Sequence, residues 1–115
     1  MATSFGKELR KLRIDKDENI HSMAKKLGIS ISYLSAIEAG SRNIPDDLVD
    51  KVVKKYHLSE ERSEIMRQAE AESSKEIEID LKTMTAEQRK LVFALSRKLN
   101  EMSDEDCLNI LNKLK

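Results

Sequence analysis

In the stretch IHSMAKKLGISISYLSAIEAG, residues 20–40, a small residue and a glycine stand four positions apart: Ala24 and Gly28. Two helices that cross steeply over a short turn need both. The first helix must carry a small side chain where the backbones approach, and Ala24 supplies it. The turn needs a residue that adopts positive φ at no steric cost, and Gly28 supplies that. Ile20, Met23, Ala24 and Leu27 recur at i, i+3, i+4 and i+7, which predicts one amphipathic helix ending at Gly28. Ser30 is placed to cap the next helix, which Gly40 closes. Met23, Leu27, Ile29, Leu34 and Ile37 then pin the pair to a core. A plain helical hairpin in a bundle is the competing reading, and context on both sides argues against it.

Helical periodicity governs the rest of the chain as well. Phe5, Leu9 and Leu12 mark a first helix ending near Ile14. Pro45 is expected at the first turn of a fourth helix, which buries Leu48, Val49, Val52, Val53 and Tyr56. Ser59 opens a fifth helix whose apolar face thins out by Ser73. Glu76-Ile-Glu-Ile-Asp-Leu81 alternates charged and apolar residues, the one clear period-2 stretch, and predicts a strand. Thr85-Ala-Glu-Gln88 reads as a capping box opening another helix, and Ser103 caps the last. The expected fold is mainly α. A five-helix domain at 1–69 is followed by a hinge at 70–75 and a small β-α-α dimerisation tail at 76–115.

Composition removes several function classes. With 3 Gly and 1 Pro in 115 residues, an all-β sandwich has too few turn formers. Aromatic residues are 3% with no Trp, too few for a stacking platform on single-stranded nucleic acid. The longest apolar run, Leu91 to Leu95, is far short of the roughly 20 residues that cross a membrane. No secretory segment is evident and Cys107 is the single cysteine, so a reducing cytoplasm is the expected compartment. Cys107 lies on an apolar helical stripe and reads as a packed thiol more readily than as a redox switch. His21, His57 and Cys107 lack metal-ligand spacing, and no nucleophile elbow or phosphate loop is present. No enzyme activity, metal or cofactor is expected.

From Phe5 to Pro45 the marks LRKLR, MAKKLGIS and YLSAIEAGSRNIP resemble the Xre family of phage-repressor-type transcriptional regulators, which bind DNA through a helix-turn-helix. The resemblance covers about residues 3–58. It implies that Asn19, at the start of the second helix, donates to a DNA phosphate. It implies that the third helix enters the major groove with Ser30, Ile31, Ser32, Tyr33, Ser35 and Ala36 toward base edges. Arg42 and Asn43 are implied to hold the DNA backbone, and Arg13 with Glu38 to form a partly buried structural ion pair. Tyr33 equally fits a role in packing on its neighbours, and Lys25 and Lys26 fit a solvated face. One departure stands out. The family very often has Gln where this chain has Ile20, which neither reaches a phosphate nor braces the recognition helix. The recognition helix also lacks the Gln, Asn and Arg side chains that make bidentate base contacts. Readout is expected to lean on thymine methyls, water and DNA shape.

A lone strand at 77–81 leaves both edges unpaired. Pairing with the same strand of a second copy is the expected solution, with Ile77, Ile79 and Leu81 facing the helices that follow; an extended linker is the other reading. The expected protein is thus a homodimeric repressor of a palindromic double-stranded DNA operator. Regulators built as a head plus a small tail also resemble two groups from defence or mobile islands. One is encoded beside a zinc metallopeptidase that cleaves the tail; the other comprises antitoxins that bind a toxin and repress their own promoter. A protein-interaction module of the second kind is the alternative function, and no membrane partner is expected. The formal net charge is zero, with 21 basic and 21 acidic residues. Residues 1–58 hold 11 basic and 8 acidic side chains, and residues 59–115 hold 10 and 13, which predicts a mildly basic head and an acidic tail.

Overall fold

The computed structural model describes residues 2–115. Seven α-helices are present among them: α1 (Ser4–Asp15), α2 (Ile20–Leu27), α3 (Ile31–Ala39), α4 (Leu48–Tyr56), α5 (Glu60–Ser73), α6 (Ala86–Lys98) and α7 (Asp104–Leu114). A single 3-10 turn, Leu99–Glu101, separates the last two. The chain divides into two compact units, one ending at Ile77 and the other spanning Glu78–Lys115.

Capping side chains set most helix starts. Thr3, Asn19, Ser30, Ser59, Thr85 and Ser103 each accept a backbone N–H of the first turn, which satisfies a donor the helix itself cannot. Thr85 and Gln88 complete a reciprocal capping box. Gly28 and Gly40 close α2 and α3 at φ 71° and 85°, in the left-handed region.

The first unit packs around one core. Phe5, Leu9, Met23, Leu34, Val52 and Met66 are fully buried in it, drawn from all five helices. Gly6 lets α1 lie directly on the end of α3: a Cβ there would sit 2.3 Å from the Glu38 carbonyl oxygen. That oxygen also accepts the Thr3 N–H at 3.0 Å, so the start of α1 is clamped to the last turn of α3. In the same first turn of α1, the Ser73 hydroxyl oxygen accepts the Phe5 N–H at 3.0 Å. The core therefore extends through α5, and residues 70–73, expected as hinge, are its last helical turn.

Two further expectations change. Pro45 lies outside α4. Its carbonyl accepts the Leu48 N–H at 3.1 Å in a tight turn, and the helix begins only at Leu48. Residues 76–80 are irregular and form no strand, and no strand exists among the described residues. A ladder needs a second backbone, and one copy offers none. The stretch ends where the Asp80 carboxylate accepts the Lys82 N–H at 2.9 Å and turns the chain toward α6. A single copy of the tail is thus an irregular lead followed by two helices, without the strand of the expected β-α-α order.

Charge also sorts differently along the structural boundary. Residues 1–77 carry 14 basic and 14 acidic side chains, and residues 78–115 carry 7 of each. The acidic excess assigned to the tail belongs to α5, whose Glu60, Glu61, Glu64, Glu70 and Glu72 outnumber Arg62 and Arg67. The polarity lies within the first unit, between α5 and the helices before it.

Candidate nucleic-acid interface

Two anchors fix α3 and leave one face outward. Leu34 and Ile37 are buried in the core, and Glu38 is buried against Arg13 of α1. The Arg13 guanidinium donates to both Glu38 oxygens, with Nη2 to Oε1 at 3.0 Å, in a two-pronged ion pair. Arg13 also reaches the Met23 sulfur of α2 at 3.3 Å, so one guanidinium ties three helices together. Such planar, two-pronged pairing is what arginine does and lysine cannot.

The outward face of α3 carries Ile31, Ser32, Ser35 and Ala39, all exposed, with Ala36 and Tyr33 half-buried at its margin. Their 3.6-residue spacing puts Ser32, Ser35, Ala36 and Ala39 on one side. Ala39 was not foreseen there; continuing the periodicity one turn past Ser35 would have found it. A helix with side chains is about 10–12 Å across and the major groove about 12 Å wide, so small residues on this face let the backbone approach base edges.

Residues 9–62 match the family model described as helix-turn-helix. They form a helix-turn-helix domain of the DNA-binding, transcription-regulating kind. The match spans α2 and α3 and supports the resemblance to the Xre family. Searches of curated proteins and of solved structures returned no significant match.

Within this helix-turn-helix domain the remaining expected contacts take definite places. Asn19 caps α2, its Oδ1 accepting the Ser22 N–H at 2.9 Å, and its NH2 makes no hydrogen bond within the described residues. Ser30 is occupied as the cap of α3, accepting the Tyr33 N–H at 3.1 Å, and its hydroxyl lies 3.4 Å from that of Ser32. Arg42 and Asn43 are exposed in the loop that follows. Ser30, Ser32, Tyr33, Ala36, Ser41 and Arg42 line one shallow concavity. Ser35 instead faces a second, shared with Arg10, Ile20 and Ala39. Arg10, one helical turn before Arg13, is mostly exposed and lies 4.0 Å from Glu38.

A separate cluster holds the start of the helix-turn-helix in position. Glu18, in the loop before α2, accepts the Tyr56 hydroxyl at 2.7 Å and pairs with Lys26, whose ammonium lies 4.7 Å from the Tyr56 ring centre. Lys26 holds the Glu18 carboxyl below the ordinary carboxylate value, and Tyr56 adds to it. Burial, then Glu18, raises the Tyr56 phenol above its own. Lys26 is therefore engaged within the domain, while Lys25 is exposed. Ile77 and Ile79 are exposed and Leu81 half-buried, and none of the three pairs through its backbone with a neighbouring strand. Among the described residues no group of three or more metal-ligating side chains converges, and no helix is long and apolar enough to cross a membrane.

Proposed function

We propose that the chain is a homodimeric repressor, acting in the cytoplasm, that reads a palindromic operator with α3 of each copy. The observation carrying this reading is the exposed face of small residues on α3, held by buried Leu34, Ile37 and Glu38. Ser30, Ile31, Ser32, Tyr33, Ser35 and Ala36 approach the bases, Asn19 and Asn43 approach phosphates, and Arg13 with Glu38 holds the two sides of the domain together. Promoter occlusion follows from two heads seated in successive major grooves.

The second copy is favoured by the chemistry of residues 76–115. Leu91, Leu99, Leu108, Leu111 and Leu114 are each more than half exposed on α6, the 3-10 turn and α7. Apolar surface of this extent on so small a unit marks an interface. Residues 78–115 carry 7 basic and 7 acidic side chains, which lets like copies meet without net repulsion. An antiparallel pairing centred on Ile79 also places Ile77 against Leu81 and Glu76 against Lys82 of the other copy, with Glu78 against Asp80 as its one like-charged mismatch. A toxin seated on the same apolar surface is the second reading, and a hetero-complex of defined mass distinguishes it.

The irregular segment after α5 also supports relief of repression by proteolysis. Its backbone between Lys75 and Ile79 is unpaired and exposed, the conformation proteases cleave. A cut there separates the heads and removes the avidity of two linked sites. The resemblance to regulators encoded beside a zinc metallopeptidase makes that class of enzyme the proposed partner.

Selection of bound sequences from random duplex DNA tests the reading. A two-fold symmetric motif with half-sites one helical turn apart is expected. Replacing Ser32 and Ala36 with Glu abolishes selection while the helical signal and thermal melt are retained. Equal selection by that variant contradicts the assignment of α3.

A further inference from the structure

The loop after α3 does not leave the helix directly. Gly40 turns it at φ 85°, and the Ala36 carbonyl oxygen then accepts the Ser41 N–H at 3.0 Å, the Arg42 N–H at 3.3 Å and the Ser41 hydroxyl at 3.2 Å. With its backbone pinned to the helix it follows, Arg42 sends its side chain back along α3. Its guanidinium carbon comes to rest 5.1 Å from the centre of the Tyr33 ring, nine residues earlier in sequence. The guanidinium makes no ion pair or hydrogen bond among the described residues, unlike those of Arg13, Arg62 and Arg67.

We propose that Arg42, held on the Tyr33 ring, reads a guanine base in the major groove and does not serve as a backbone contact. The inference rests on α3 being the recognition helix. α3 itself presents only hydroxyls, methyls and one ring, so no side chain on it offers a fork of donors. Arg42 brings that fork into the concavity lined by Ser30, Ser32, Tyr33 and Ala36. Two parallel N–H groups match the O6 and N7 acceptors of guanine, the commonest specific contact between protein and DNA. The cation–π contact with the ring leaves the guanidinium N–H groups without a partner among the described residues and open to a base. It also restrains the side chain before binding, so less freedom is lost on contact. A phosphate contact needs neither the plane nor the ring; charge alone suffices there.

The test compares the parent chain with Arg42→Ala, Arg42→Lys and Tyr33→Leu, each selected against random duplex DNA. Binding is then measured on the selected duplex and on copies with each guanine changed to adenine, at several salt concentrations. The parent is expected to lose roughly tenfold to a hundredfold in affinity at one guanine per half-site. Arg42→Ala and Arg42→Lys both lose that preference and keep the others, and Tyr33→Leu weakens it. Arg42 is exposed, so thermal melts of its variants stay at the parent value. A uniform loss on every duplex, restored by Arg42→Lys, makes the residue a phosphate contact and overturns the proposal. An unchanged preference in Arg42→Ala overturns it while leaving α3 as the reader. A parent chain that selects no sequence overturns both.

Discussion

Every fully buried side chain among the described residues lies in the first unit, between Phe5 and Ala69, whereas α6 and α7 bury none. Both units are made of amphipathic helices, most of them opened by a capping side chain. They differ in what those stripes meet. Five helices of the first unit converge on one another and exclude water. Two helices cannot enclose a core, so the leucines of α6 and α7 stay half in solvent until something covers them. The first unit carries the helix-turn-helix on a closed core, and the second leaves an apolar face open.

The sharpest way to break this contrast is to unpair the buried charge in the head. Arg13→Met removes the two-pronged partner of buried Glu38 and leaves only the mostly exposed Arg10, 4.0 Å away, at a cost of about 3 kcal/mol. Urea denaturation followed by circular dichroism measures it. A loss below about 1 kcal/mol shows that Glu38 finds water, and that the head is less closed than described.

Leucine truncations sharpen the contrast next. Leu34→Ala in the core costs roughly 2–5 kcal/mol at any protein concentration. Leu111→Ala, at a side chain 53% exposed, leaves the unfolding of the head unchanged and moves the association midpoint to higher concentration. Sedimentation over a concentration series separates the two effects. If Leu111→Ala lowers the melting temperature of the head as much as Leu34→Ala does, the units are not independent.

Two carboxylates within the head have opposite pH signatures. Glu18 titrates below its ordinary value because of Lys26, so the stability it contributes is present at neutral pH and is lost as pH falls through that lowered value. Glu70 is raised, first by burial and then by Asp50 and Asp46 against the opposing Arg67, so stability is lost as pH rises through its raised value. Glu18→Gln is therefore expected to lower the melting temperature at pH 7, with the gap closing in acid. Glu70→Gln raises it at pH 7, with the gap closing as pH drops below the ordinary 4.5. Melting curves at pH 4 and pH 7 check both signs.

The smallest effect is at His57, which ends α4 at φ 51°, a left-handed conformation that glycine adopts without strain. His57→Gly is expected to stabilise the head by about 0.5–1 kcal/mol. A melt shifted upward supports the assignment; a downward shift means the imidazole makes a contact that outweighs the strain.

The helices of the head were legible because their signals are local: a capping side chain, a 3.6-residue stripe, a glycine at the end. Pro45 misled because proline suits a tight turn as well as a first helical turn, and only the Leu48 hydrogen bond decides between them. The alternation at 76–81 predicts a strand from period alone, but a strand is a property of two backbones and the sequence shows one. Gly6 gave no signal, since its need arises from Glu38, 32 residues away. The contact of Arg42 with Tyr33 was hidden for a similar reason, because it depends on a loop doubling back over the helix before it. The basic head and acidic tail dissolve because a division at 58/59 separates α5 from the five-helix domain that contains it, so charge counted along a chain misleads when the cut falls inside a domain.

The central claim, a self-sufficient head joined to an incomplete tail, is tested most directly by the mass of the protein on its selected operator. Analytical ultracentrifugation of the full chain and of residues 1–77, each with the same duplex, measures it. Two full-length copies per duplex are expected, together with a folded, monomeric 1–77 that binds the duplex at least tenfold more weakly. A single full-length copy per operator, or equal affinity of the two forms, contradicts the account.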